Sequence, residues 1–251
     1  MPHPLRTARP GDPYLRYCFD ETQVVDYLID DDHIAFVRPG RRAGETWISA
    51  LGDDPRRVCT LIDGLAERHA PDGIHVHDDV YPMLPERLRI ADPGHWSIWV
   101  IEAGDAPPEL GDWASGTVNL DPFDVRIDPL LAHSSSAYLM AGHPSIRRWV
   151  GVVEEDRLVA VGAETVIAGT VPHLVSICTL PTARGRGHGR AVTASLVAEA
   201  FARGASEAYL EMYAGNEPAA ALYRGVGFHE AGRYRSGWVP GREPTPGAEP
   251  A

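Results

Sequence analysis

Residues Arg184-Gly185-Arg186-Gly187-His188-Gly189-Arg190 set three glycines among three arginines at alternating positions. Such glycines let the backbone take positive φ and let N–H groups crowd toward one point. An apolar run, Leu174 to Cys178, precedes them and an Ala-rich apolar run to Phe201 follows. The loop is therefore expected to join a strand to a helix. The first N–H groups of a helix have no internal partner, and the macrodipole places partial positive charge there. An anion, most often a phosphate, suits that position. Two phosphate loops are excluded by spacing. A Walker loop needs Gly-Lys-Ser/Thr, and a dinucleotide fingerprint needs G-x-G-x-x-G, whereas this loop reads G-x-G-x-G.

Other chemistry-bearing residues are less organised. Asp30-Asp31-Asp32 has no D-x-D-x-D-G loop around it and reads as a solvated turn before a strand. Ile74-His75-Val76-His77 alternates, so both histidines share one strand face, with Asp78 and Asp79 next in line. A third metal ligand is not evident, and an exposed polar face is the simpler expectation. Cys18, Cys59 and Cys178 form neither a C-x-x-C nor an even framework, which fits a reducing cytosol. No metal is expected.

The 251 residues carry a net charge of −12 and are 44% hydrophobic. That is ordinary globular composition. Nucleic-acid binding needs a basic footprint and is not expected. The N-terminus lacks an apolar signal core, and no run of about 18 apolar residues occurs, so the reading is a soluble cytoplasmic protein with no membrane partner.

The elements that must position the loop follow from periodicity and punctuation. A helix is expected over Tyr14–Asp30, strands over His33–Arg38 and Thr46–Leu51, and a helix from Pro55 to His69. Strands follow at Ile74–His77 and Gly94–Glu102, then a linker at Gly104–Gly111. Next come a strand at Thr117–Leu120, a helix at Phe123–His133 and a hairpin of Arg147–Glu154 with Arg157–Ala168. The last elements are a strand at His173–Thr179, a helix at Gly189–Arg203 and a strand at Ala208–Tyr213. From Gly241 onward the Pro-rich sequence reads as a disordered tail. The fold class is α/β, with α+β mixed-sheet character. The expected division is 1–110, 111–240 and a tail over 241–251.

A second block follows the loop after one helix and one strand. Asn216-x-x-Ala219-x-x-Leu222-Tyr223-x-x-x-Gly227-Phe228 starts on a good N-cap, tolerates Pro218 in the first turn and stops at glycine. Arg184-x-x-Gly187-x-Gly189 with this second block resembles the GNAT superfamily of N-acetyltransferases. The resemblance covers roughly the C-terminal half. The N-terminal half more weakly resembles the degenerate first half of some actinobacterial acetyltransferases.

The resemblance implies direct acetyl transfer from acetyl-CoA to a primary amine of a small molecule or peptide, without a covalent acyl-enzyme. A CoA-binding protein that has lost catalysis is the alternative. It implies that the backbone of Ile177-Cys178-Thr179, on a strand splayed from its neighbour, lines the pantetheine arm. It assigns the pyrophosphate to Arg184, Gly185, Arg186, Gly187, His188, Gly189 and Arg190, with Asn216 and Tyr223 also at the coenzyme. Tyr223 matches the family's general acid. The base is left open between Glu211, placed like the glutamate of enzymes that acetylate ribosomal-protein N-termini, and His173, placed like one histidine of serotonin N-acetyltransferase. Val175 stands where that enzyme has its second histidine, and Glu164 is a third option. The acceptor is not specified by the sequence, and a homodimer is compatible with it.

Overall fold

A computed structural model describes residues 2–40, 42–90, 92–165 and 171–243. The chain begins with α1 (Pro4–Ala8) and α2 (Pro13–Tyr17), then β1 (Asp26–Asp30), β2 (His33–Pro39) and β3 (Thr46–Leu51). Next come α3 (Pro55–His69), β4 (Gly73–His77), β5 (Gly94–Glu102), α4 (Leu110–Trp113), β6 (Thr117–Leu120) and α5 (Ile127–Leu131). They are followed by β7 (Ile146–Glu154), β8 (Arg157–Thr165) and β9 (His173–Thr179). The chain continues through α6 (His188–Ala202), β10 (Glu207–Tyr213), α7 (Glu217–Val226) and β11 (His229–Trp238). The class is mixed α/β, as expected.

Contacts divide the chain into two units, residues 1–97 with 232–251, and 98–231. In the first, strands follow the order β1-β2-β3-β4-β11; in the second, β5-β10-β9-β8-β7-β6. The two share a pattern. β1, β2 and β3 are antiparallel in succession, α3 crosses over, and β4 returns parallel to β3. Likewise β7, β8 and β9 are antiparallel, α6 crosses over, and β10 returns parallel to β9.

In the first unit α3 buries Val58, Leu61, Ile62 and Leu65 against β2 and β3. Its start is closed: the Asp54 side chain accepts from Arg56 N–H at 2.9 Å, and Pro55 occupies the first turn. Ala70, in the left-handed region at φ 42°, ends it. In the second unit α6 buries Val192, Ala194, Leu196 and Val197 in a core shared with Trp149, Val161 and Leu210.

Several sequence expectations change. The helix over Tyr14–Asp30 is only α2; Val24-Val25-Asp-Tyr-Leu-Ile29 is rich in β-branched and aromatic residues and leads into strand β1, paired with β2. Asp31, at φ 62°, makes the turn between them. The short helix α4 begins at the end of the expected linker, and the helix at Phe123–His133 shrinks to α5. Residues 166–168 of the expected hairpin and 244–251 of the expected tail lie outside the described residues.

His75 is the sharpest correction. It is 1% exposed, not on a solvated face. Its ring stacks against Tyr14 at 4.4 Å and Tyr234 at 5.0 Å, with Trp96 at 5.1 Å. Burial, helped by the charges of Arg38 and His77, holds its pKa well below the ordinary value. His77 is lowered too, again chiefly by burial. A histidine with a depressed folded pKa gives stability that is present above its unfolded value, about 6.5, and lost as pH falls below it. Urea denaturation should therefore show stability falling from pH 7.5 to 5.5, and His75→Phe should remove up to about 1 kcal/mol of that fall. An identical fall in the variant would contradict this assignment.

Candidate functional site

The site begins where β9 and β10 part. Their parallel register pairs His173 with Tyr209 and Leu174 with Leu210, and no further pair follows among the described residues. On its other edge β9 carries a bulge: Val161 and Ala163 of β8 are two apart, while their partners Cys178 and Val175 are three apart. Ser176 absorbs the extra residue at φ 52° and donates its hydroxyl to Leu139 O at 2.9 Å. A bulge re-aims the strand, here over the stretch that includes Ile177, Cys178 and Thr179.

Beyond Thr179, a 3₁₀ turn at Pro181–Ala183 leads to Arg184. Gly185 and Gly187 both lie in the left-handed region, at φ 76° and 86°. Gly187 is the N-cap of α6, and among the described residues no side chain caps that helix. A Cβ at Gly185 would touch nothing within 4 Å, and one at Gly187 would meet only the Arg190 guanidinium at 3.9 Å. These glycines serve backbone conformation and leave the approach clear. Gly189 serves closeness: a Cβ there would come within 2.8 Å of Leu222 Cδ1 and 3.4 Å of Thr179 Oγ1. The first turn of α6, the end of β9 and helix α7 therefore meet at one glycine. The donors, the missing cap and the clear approach fit a diphosphate.

The loop cations are already engaged. Arg184 Nε donates to Thr179 O at 3.3 Å, and the Arg190 guanidinium lies 5.1 Å from the Trp113 ring centroid. Arg186 pairs with Glu154 at 2.7 Å, and His188 Nε2 is 3.3 Å from the same carboxylate. Glu154 and Trp113 were not singled out from sequence. Glu154 ends β7 beside the acidic hairpin turn, a stretch that signals only a turn; Trp113 has no local signal because α4 reaches α6 only in the folded chain.

The second block has a clear physical basis. Asn216 accepts from Ala219 N–H at 3.3 Å, capping α7. At the other end Phe228 N–H donates to Tyr223 O at 2.9 Å and Gly227 N–H to Arg224 O at 3.0 Å, with Gly227 at φ 109°. This is a Schellman cap, and its accompanying hydrophobic contact is Tyr223 with Phe228, ring centroids 5.9 Å apart. The spacing Tyr-x-x-x-Gly-Phe thus fixes where Tyr223 sits. Burial pushes its phenol up to about 12.

His173 and Glu211 come together at the root of the parting strands, Nε2 to Oε2 3.9 Å. His173 is 1% exposed and stacks on Tyr209 with centroids 4.3 Å apart and planes 3° off parallel. Its pKa is lowered, by burial first, with Glu211 opposing. Cys178 is buried, directs its thiol at Leu130 O at 3.5 Å, and has its pKa raised by burial despite Arg184. Glu164, the third base candidate, is fully buried and holds Arg203 at 2.6 and 2.5 Å and Arg147 at 3.1 Å. That carboxylate is committed to an ion-pair cluster. Among the described residues no group of three or more His, Cys, Asp or Glu side chains is arranged to hold a metal ion. No helix there is long and apolar enough to cross a membrane.

Residues 116–228 match the model of the acetyltransferase (GNAT) family. An uncharacterised protein of Mycobacterium leprae is 30% identical over 237 residues, which is 85% of this chain; the chain spans 64% of that relative's length. A GCN5-related N-acetyltransferase from Kribbella flavida superposes with a TM-score of 0.56 at 18% identity, covering 86% of this chain and 90% of its own. Another from Sphaerobacter thermophilus gives 0.53 at 18% identity, covering 82% and 76%. These two show a common fold. Both the loop and the second block lie inside the matched segment, so it is over residues 116–228 that the chain is similar to the acetyltransferase (GNAT) family.

Proposed function

We propose that this protein transfers the acetyl group of acetyl-CoA directly to a primary amine of a small molecule or peptide in the cytoplasm. The observation that carries this reading is the uncapped N-terminus of α6, entered through Gly185 and Gly187 at positive φ beside the gap between β9 and β10. The backbone N–H groups of residues 185–190 would hold the diphosphate, with Arg184, Arg186, His188 and Arg190 around it. The backbone of Ile177, Cys178 and Thr179 would line the pantetheine arm, and Asn216 would fix the helix that carries Tyr223. Residues 111–240 are read as the catalytic domain and 1–110 as a degenerate copy. In the latter, Asp54 caps α3 where a diphosphate would need an open helix start.

Acetyl-CoA supplies an activated thioester. An aliphatic amine has a pKa of about 10.4 and must lose a proton before it attacks. Glu211, with its side chain 29% exposed, is our choice to accept that proton. Tyr223 would give a proton to the departing sulfur. Because burial raises its phenol to about 12, it keeps that proton through the neutral range. The Cys178 thiol, buried against a carbonyl and held neutral, supports a route without an acyl-enzyme.

Tyr223→Phe should lower kcat by about 10² while the KM for acetyl-CoA changes by less than about threefold. Unchanged turnover, measured as thiol release with an amine panel, would remove Tyr223 from the chemistry. Gly187→Asp should weaken CoA binding by calorimetry about tenfold or more relative to Gly187→Asn, which tolerates the same backbone without the charge. Equal affinities would place the diphosphate elsewhere. CoA binding without turnover on any amine would favour the inactive CoA-binding alternative.

A further inference from the structure

The second unit holds a buried pair whose parts do different work. His173 opens β9, pairs across to Thr165 of β8 on one side and Tyr209 of β10 on the other, and is sealed from solvent. Its ring lies flat on the Tyr209 ring, 4.3 Å away and 3° from parallel. That stack and its burial hold the imidazole away from solvent, where an amine would arrive. Glu211 is two residues along β10 from Tyr209, so its side chain projects on the same face of the strand. The carboxylate, unlike the imidazole, is partly exposed, 29% against 2%. The two meet through Nε2 and Oε2 at 3.9 Å, while Nδ1 finds no hydrogen-bond partner among the described residues.

We infer that His173 is a positioning residue that acts through Glu211: its Nε2–H faces the carboxylate and fixes it at the mouth of the gap between β9 and β10. This rests on the reading of Glu211 as the base. The tautomer follows from the two nitrogens. A neutral imidazole carries one N–H, and the nitrogen facing a carboxylate is the one that gains by carrying it. Placing the proton on Nδ1 would bury an unmet donor and turn a lone pair toward an anion, both unfavourable. The separation of 3.9 Å exceeds a direct hydrogen bond, and catalytic contacts of this kind commonly tighten only once substrate is bound. Glu211 is the charged group that bears on the ring; Glu164, next to Thr165 on β8, is held by Arg203 and Arg147. A ring kept neutral by burial stays a donor across the working range and does not compete for the amine's proton.

Two variants separate positioning from packing. His173→Phe keeps a ring on Tyr209 and removes the N–H; His173→Gln removes the ring and keeps an N–H donor. With acetyl-CoA and a responsive amine, His173→Phe should lower kcat about tenfold with the KM for acetyl-CoA unchanged, and His173→Gln should recover at least a third of the wild-type kcat. Full activity in His173→Phe, or equal losses in both variants, would overturn the inference. Nitrogen-15 NMR of the wild-type protein reads the same point without turnover. His173 should show a neutral imidazole protonated on Nε2 from pH 8 to pH 7. An Nδ1–H tautomer, or an imidazolium in that range, would overturn it even if the variants failed to fold. Absence of turnover in the wild type would instead count against the acetyltransferase reading, and the NMR result would stand apart from it.

Discussion

The open N-terminus of α6 is the constraint on which the rest of the site depends. A helix start leaves N–H groups unmet, and most chains close them with a side chain at the N-cap. Here the cap is Gly187, which has none. Reaching it from β9 requires two left-handed residues, Gly185 and Gly187, and a helix seated so closely on Thr179 and Leu222 that Gly189 cannot carry a Cβ without a shift. Local stability has been left unclaimed at one place, and the surrounding elements hold that place in shape.

The first unit makes the comparison from within the same chain. Its strands and crossover helix follow the same pattern, and α3 and α6 are both 15 residues long. Yet α3 starts on Asp54, whose carboxylate takes the position an anion would otherwise fill, and Pro55 removes one N–H outright. β3 and β4 remain paired at four positions, from Trp47↔Gly73 to Ala50↔Val76, whereas β9 and β10 pair at two and part. One topology thus appears closed in one unit and open in the other. The difference lies in the residues at the helix start and in the bulge at Ser176, not in the order of elements.

The glycines, the second block and the alternation of strands and helices were legible because each depends on near neighbours in sequence. Asn216, Tyr223, Gly227 and Phe228 are a helix with its two caps, so their spacing carries its own structural meaning. What escaped was set at long range. Whether His75 faces solvent depends on Tyr14 and Tyr234, far away in the chain, and alternation alone cannot say which face is covered. The helix expected over Tyr14–Asp30 gave way because β1 gains a ladder from β2. Glu154, Trp113 and Tyr209 entered the site only through folding. Glu164 had the right chemistry for a base, but two arginines draw it into a structural role.

The net charge of −12 makes the cluster of arginines at 184, 186 and 190 a local exception, and Glu154 already balances part of it. Binding a polyanion here must therefore come mainly from oriented N–H groups rather than from the overall field. The most direct measurement is a crystal structure of the protein with acetyl-CoA. The diphosphate should accept from backbone N–H groups of residues 185–190, with the thioester lying in the gap between β9 and β10. Density for the coenzyme at any other place, or none at saturating concentration, would contradict it.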